Sequence, residues 1–276
     1  MKSRSRYARL IRFARFARFA RLAGPAVLAL AVFAAAIGPV RAAWAGEIVV
    51  SAAASLTDAL AKVKTAFEKE NPGTTVVTNF GASGTLLKQM EQGAPVDVFA
   101  SADETTMDLA KLKKLIDPDS RVDFAANSLV LIVPVESKIP VSGPEALAGP
   151  GVARIAVGNP NLVPVGRYAV ESFAASGLLE SLRPKFIDGE SVRQVLDYCV
   201  RGEVDAAVVF ATDALAAKDK VRVAAVLTGP APITYPVAIA AGSGNKEAAA
   251  SFLRYLTSAP GQEILAGYGF KKAAGN

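Results

Sequence analysis

The sequence predicts an α/β fold in two lobes with a cleft between them. Three observations carry this expectation. Short β-rich runs alternate with stretches of helical periodicity, the chain after an N-terminal leader is 231 residues long (46–276), and no low-complexity linker divides it. That length is large for one doubly wound sheet and suits two lobes joined by short β-like crossings. Strand-helix alternation implies mostly parallel sheets, whose ligands bind at strand carboxyl ends or in the interlobe cleft.

The leader comes first. Residues 1–22 hold Lys2 and seven arginines (Arg4, Arg6, Arg9, Arg12, Arg15, Arg18, Arg21) without an acid. An apolar run follows over 24–40, and Ala43-Trp44-Ala45 is a small-x-small cleavage site before Gly46. A basic segment, an apolar segment and such an end make a secretory signal peptide, expected at 1–45. The apolar run is short for a membrane span and is broken by Pro and Gly. No Arg pair favours a twin-arginine route, and no Cys near the cleavage site could carry a lipid.

Strands are expected next at 47–52, 74–80, 97–101, 128–134, 153–157, 205–210, 221–227 and 235–240. The first helix follows from Leu56, Leu60, Val63 and Phe67, which share a face, and Asn71-Pro72-Gly73 stops it. Similar helical patterns run over 85–92, 103–115, 166–178, 191–201, 245–257 and 260–268.

Composition excludes several functions. The chain is 51% hydrophobic and 20% charged, which is a folded composition. It contains no His, so a Ser-His-Asp triad, a Cys-His dyad and His-ligated zinc are ruled out. A single cysteine, Cys199, rules out an intrachain disulfide and a CxxC pair, and its apolar setting suggests a buried small hydrophobe. The formal charge of +6 belongs to the leader. Nine of the 31 basic residues and none of the 25 acids precede Gly46, so the rest has 22 against 25, near −3, and gives no argument for nucleic acid.

Four segments share one arrangement, a short polar or Gly-rich turn that opens a helix: 51–58 (SAAASLTD), 81–85 (GASGT), 163–168 (VPVGRY) and 189–193 (GESVR). A helix N-terminus offers unpaired N–H groups and a positive dipole end, and so holds anions without a neighbouring cation. Ala54, Ala82 and Gly84 would let a ligand approach the main chain closely. The bland reading of each is capping alone; Ser55 suits an N-cap, with Asp58 in a capping-box position. Asp97 and Asp103 read as turn and cap residues rather than paired catalytic carboxylates. Neither Ser55 nor Ser83 sits in a GxSxG elbow, and no phosphate-binding Gly-rich motif is present.

In this order, AAASLTDAL (52–60), NFGASGTLLKQMEQGAPVDVFASAD (79–103), ANSLVLIVP (126–134), IAVGNPNLVPVGRYA (155–169), GESVRQVL (189–196) and LTSAPGQEILAGYGF (256–270) resemble the molybdate-binding proteins of bacterial ABC transporters. The resemblance covers nearly all of 47–270. It implies a two-lobed, type II periplasmic-binding-protein fold. Lobe one would be 46–126 and 236–276, lobe two 127–235, with hinges near Asn127-Ser128 and Tyr235-Pro236. Ser55 and Ser83 would each give a hydroxyl and an N–H to the oxyanion, and Val165 and Val192 would give N–H groups. A fifth contact in the family is a Tyr hydroxyl, in a segment that here reads VVFATDA (208–214), so Phe210 cannot donate it. Water, Thr212 or a shifted neighbour would have to replace it.

The resemblance further implies a non-enzymatic receptor, monomeric and periplasmic, with no cofactor, that carries molybdate or tungstate to a membrane permease. A donor-only pocket suits a fully ionised tetraoxo dianion, whereas phosphate near neutral pH keeps a proton and needs an acceptor. Sulfate would have to be excluded by cavity size. A receptor for sulfate or another oxyanion is the alternative, prompted by Phe210; an exported serine hydrolase using Ser55 or Ser83 is a third, which the missing His opposes. The only Trp is Trp44. Protein matured by its native host should therefore lack Trp absorbance and have a mass beginning at Gly46; retained Trp absorbance would contradict cleavage after Ala45.

Overall fold

A computed structural model of the chain describes residues 46–229 and 231–273. The leader and its cleavage site lie outside the described residues. The rest builds two five-stranded sheets, each flanked by helices.

The first sheet begins with β1 (Gly46–Ala53), which is buried almost throughout from Ile48 onward, as a central parallel strand must be. It pairs in parallel with β2 (Thr74–Gly81) and β3 (Val98–Ala100). Between β1 and β2 lies α1 (Thr57–Glu70), whose buried Ala59, Leu60, Val63 and Phe67 form the expected stripe. Asn71 ends it, its backbone and side-chain N–H groups both donating to the Phe67 carbonyl at 2.9 Å. Gly73, at φ 99°, takes the left-handed turn into β2 that a side chain would resist. The helices α2 (Ser83–Glu91) and α3 (Glu104–Leu112) follow β2 and β3.

The second sheet repeats the plan. β5 (Leu129–Pro134), β6 (Ile155–Gly158), β7 (Phe186–Gly189), β8 (Ala206–Phe210) and β9 (Val221–Leu227) are ordered β7-β6-β8-β5-β9. Its helices are α4 (Pro164–Ala175), the single turn α5 (Leu179–Leu182), α6 (Val192–Val200) and α7 (Ala211–Ala216). The chain returns to the first sheet through β10 (Ile233–Ile239), which lies between β3 and β4 (Val122–Asn127), and closes with α8 (Lys246–Thr257) and α9 (Ala259–Gly267).

The sheets are mixed rather than mostly parallel. Four strand pairs are parallel (β1–β2, β1–β3, β6–β7, β6–β8) and four antiparallel (β10–β3, β10–β4, β5–β8, β5–β9). The reason is the crossing between lobes. Parallel neighbours need a long crossover, usually a helix. β4 instead runs into β5 through Ser128 alone, and β9 reaches β10 over residues 228–232, so the crossing strands enter each sheet from the opposite direction. Tyr235, taken from the sequence as the end of the second lobe, is the third residue of β10 in the first sheet.

All eight expected strands form. β4 was not expected, because its sequence VDFAAN includes Asp123 and Asn127 and signals a strand weakly beside the apolar β5, from which Ser128 divides it. β7 is a four-residue edge strand carrying Asp and Gly, too short and polar to signal itself. α5 and α7 are too short to display a helical period.

The winding has one consequence for function. The connections after β1, β2, β3, β6, β7 and β8 all leave from strand carboxyl ends, and these ends face one another across the two lobes at the cavity described next.

Candidate ligand-binding site between the two sheets

The carboxyl ends of β1, β2, β6 and β7 each feed a helical N-terminus. After β1 comes a 3-10 turn, Ala54–Leu56, running straight into α1; Ser55 is its middle residue. Ser83 is the first residue of α2, Val165 the second of α4, and Val192 the first of α6. The N–H groups of a first helical turn have no intrahelical acceptor. Phe210 ends β8 and precedes α7.

These five residues line one small cavity, whose solvent-accessible volume is about 10 Å³. The first lobe adds Ala53, Ala54, Gly81, Ala82 and Ala102, and the second adds Val163 and Pro164. No charged side chain is in this lining. Small residues keep the main chain near the centre, and tight packing fixes it there. A Cβ on Gly166 would stand 1.9 Å from the Gly158 carbonyl oxygen, which is why the start of α4 can lie directly on β6.

The sequence expectation for Ser55 needs one correction. Ser55 is not a side-chain N-cap: the residue preceding the 3-10 turn is Ala53, the one preceding α1 is Leu56, and neither turn has a side-chain cap. Its hydroxyl instead lies 3.0 Å from the Tyr235 hydroxyl. Ser83 accepts a hydrogen bond from the Ala102 N–H at 3.1 Å. Phe210 offers no polar group; its ring packs edge-on against Tyr235 (5.7 Å between centroids) and Tyr168 (6.3 Å). Thr212 does not stand in for a Tyr at 210, since it is not among the residues that line this cavity; its hydroxyl accepts from Asn127 Nδ2 at 2.9 Å. Tyr235 is not itself in the lining; its hydroxyl lies against that of Ser55, which is. The sequence marks Asn127 and Tyr235 only as hinge residues, because the Asn127–Tyr235 and Tyr235–Ser55 contacts span 108 and 180 positions.

Besides the Asn127–Thr212 bond at the crossing, three further contacts join the lobes around the cavity. The Gly84 N–H donates to the Leu162 carbonyl at 2.9 Å, and a Cβ on Gly84 would sit 2.7 Å from that oxygen, so only glycine permits this approach. Arg167 reaches Asp103 through Nε at 2.9 Å and Nη2 at 2.5 Å, and also donates to Thr106 Oγ1 at 2.7 Å. Asp103 is a cap residue, as expected, accepting from Thr106 N at 3.2 Å, and the ion pair is a further role that its sequence position does not betray. On the other side, Arg193 Nη2 donates to Asp58 at 2.8 Å, and its Nε stands 3.0 Å from Asp213 Oδ1. Asp97 is tied down by Val49 N–H and Ser243 Oγ, consistent with a turn residue. Cys199 is fully buried, and desolvation pushes its thiol up to about 12.

Asp213 is fully buried, and neither of its carboxylate oxygens has a well-aimed hydrogen-bond donor. Desolvation pushes its carboxyl up to about 7, with Arg193 opposing the shift and Asp58 adding to it.

A cavity of main-chain and hydroxyl donors, at facing strand ends of two α/β lobes, is the architecture of a solute-binding protein. The chain belongs to the bacterial extracellular solute-binding proteins, whose family model matches residues 48–271. It is 39% identical over 236 residues to the molybdate-binding protein ModA of Escherichia coli (strain K12), covering 82% of this chain and 89% of that one. It is 37% identical over 230 residues to the putative ABC transporter substrate-binding lipoprotein YvgL of Bacillus subtilis (strain 168), covering 81% and 85%. Among solved structures, the substrate-binding domain of a putative molybdenum ABC transporter from Clostridium difficile aligns with a TM-score of 0.63 at 37% identity, covering 83% and 99%.

The buried acid gives a pH test of the site's wall. An unfolded chain keeps Asp213 near 3.8, whereas the folded value is about 7, so between those values the fold holds a proton that the unfolded chain has lost. The stability contributed is complete below 3.8 and is lost as pH rises through about 7. Asp213→Asn removes this dependence. Its melting temperature relative to wild type should therefore rise by several degrees from pH 5 to pH 8, at about 2–4 °C per kcal/mol for a chain of this size. A flat or falling difference in thermal melts would contradict the buried-acid account.

Proposed function

We propose that the protein captures molybdate, and equally tungstate, in this cavity on the periplasmic side of the membrane, after removal of residues 1–45, and delivers it to the permease of an ABC transporter. The observation that carries the proposal is the lining: first-turn N–H groups and two serine hydroxyls from both lobes, with no charged side chain. Ser55 and Ser83 would each donate a hydroxyl and an N–H from the first lobe, and Val165 and Val192 an N–H each from the second. The main-chain role tolerates valine, because both side chains pack into the apolar core.

The mechanism follows from what each part must do. Entry of the dianion strips its water, and aimed dipoles in a low-dielectric cavity replace that shell. Donors from both lobes favour the closed arrangement over the open one, since only closure lets all of them reach the ion. The Arg167–Asp103 and Arg193–Asp58 pairs and the Gly84–Leu162 bond form at the same time and hold the lobes together. The ion meets no fixed countercharge in the cavity, so reopening at the permease releases it without breaking an ion pair. The relatives support this reading: molybdate is the ligand named for ModA, and the Clostridium difficile domain is named for molybdenum transport.

A competition titration by thermal shift tests the proposal. Molybdate and tungstate should raise the melting temperature, sulfate should do so less, and phosphate least of the four. Ser55→Ala and Ser83→Ala should each weaken molybdate by about 10- to 150-fold, the loss of one hydrogen bond of about 1.5–3 kcal/mol to a charged group. No shift with molybdate or tungstate would contradict the proposal, and a larger shift with sulfate would favour a sulfate receptor.

A further inference from the structure

We infer that Tyr235 is a positioning residue: its hydroxyl fixes the Ser55 hydroxyl as a donor into the cavity, and so sets the preference for an oxyanion that carries no proton. The inference rests on the function proposed above and assigns one source of its selectivity.

A serine hydroxyl can donate or accept, so by itself it does not discriminate between protonated and unprotonated ligands. Here the direction of each bond can be followed from groups that only donate. Asn127 Oδ1 accepts from the Ser128 N–H at 2.9 Å, which sets the orientation of the amide. Its Nδ2 then faces the Thr212 hydroxyl at 2.9 Å and the Tyr235 hydroxyl at 3.2 Å. An amide nitrogen cannot accept, so Tyr235 accepts from it and keeps its own proton to give. Tyr235 is fully buried, and among the described residues the acceptor at its hydroxyl is Ser55 Oγ, 3.0 Å away. Leaving a buried phenol proton unpaired is costly, so that bond runs from tyrosine to serine. The Ser55 oxygen is thereby engaged as an acceptor, and its proton turns away from Tyr235, on a residue that lines the cavity.

Ser83 is held in the same sense by a different donor. The Ala102 N–H occupies its oxygen at 3.1 Å, leaving its proton to point elsewhere. Both cavity hydroxyls thus have a protein donor behind them. Hydrogen phosphate brings an O–H that needs an acceptor, and one of the two lone pairs of each serine oxygen is already engaged by a protein donor. The chain Asn127→Tyr235→Ser55 also joins the crossing strand β4, through the β10 ring, to the first helical turn of the site. The Tyr235 ring has its own packing against Phe124, Phe210 and Phe270, which a phenylalanine would keep.

The test is calorimetric titration of the purified protein with sodium molybdate and, by competition, inorganic phosphate at pH 7. Tyr235→Phe should weaken molybdate about tenfold, as expected for a hydrogen bond that acts through another group. It should weaken phosphate less, so that the molybdate-to-phosphate ratio falls. In a Ser55→Ala background the same substitution should cost nothing further, because the two residues act as one unit. Equal weakening of both anions, wild-type affinity in Tyr235→Phe, or additive losses in the double variant would overturn the inference while leaving molybdate binding intact. A wild-type protein that binds neither molybdate nor tungstate would overturn the proposed function as well. Should Tyr235→Phe prove too unstable to titrate, Asn127→Asp gives a second reading. A carboxylate there draws the Tyr235 proton away from Ser55, and the ratio should fall in the same way; an unchanged ratio overturns the inference.

Discussion

A tetrahedral dianion in water is surrounded by hydrogen-bond donors, and a protein that removes it from water has to supply replacements aimed at the same oxygens. Helical first turns are the cheapest source, since their N–H groups lack partners whether or not a ligand arrives. The fold follows from that requirement. Parallel strands bring successive helix starts to one edge, and two such edges face each other across the cavity. Mixed sheets are the consequence of crossing twice between lobes, and the crossings place Asn127 and Tyr235 beside the site rather than far from it.

Charge enters at the rim instead of at the cavity. Arg167 and Arg193 each pair with carboxylates of the opposite lobe, Asp103 and Asp58, so the cations serve closure. This separation suits a chain that is slightly acidic from Gly46 onward and yet is proposed to hold a dianion. Local dipoles, not net charge, have to carry the affinity. Asp213 is the one place where the separation is strained: a fully buried carboxyl beside Arg193, without a well-aimed donor.

Much of this was legible in the sequence because the signals are local. The stripe of Leu60, Val63 and Phe67, the turn at Gly73 and the four helix openings announce themselves within a dozen residues. The meeting of Ser55, Ser83, Val165, Val192 and Phe210 in one cavity is not local, and it was expected through family motifs rather than through spacing. What stayed hidden depends on long-range packing. β4 stays hidden beside the apolar β5, from which Ser128 alone divides it. Asp103 looks like a cap until Arg167, 64 residues away, reaches it. Ser55 looks like a cap too, but Tyr235 takes its hydroxyl. A hydroxyl that reaches Ser55 from β10 leaves no trace in the segment around Phe210.

The most direct test is a crystal structure of the protein grown with molybdate, with data collected at the molybdenum absorption edge. The account requires one strong anomalous peak inside the cavity, with its oxygens within hydrogen-bonding reach of the Ser55 and Ser83 hydroxyls and of the Val165 and Val192 N–H groups. A peak in the adjoining pocket beside Arg193 and Asp58 would contradict it, because the anion would then be held by a cation and not by aimed neutral donors.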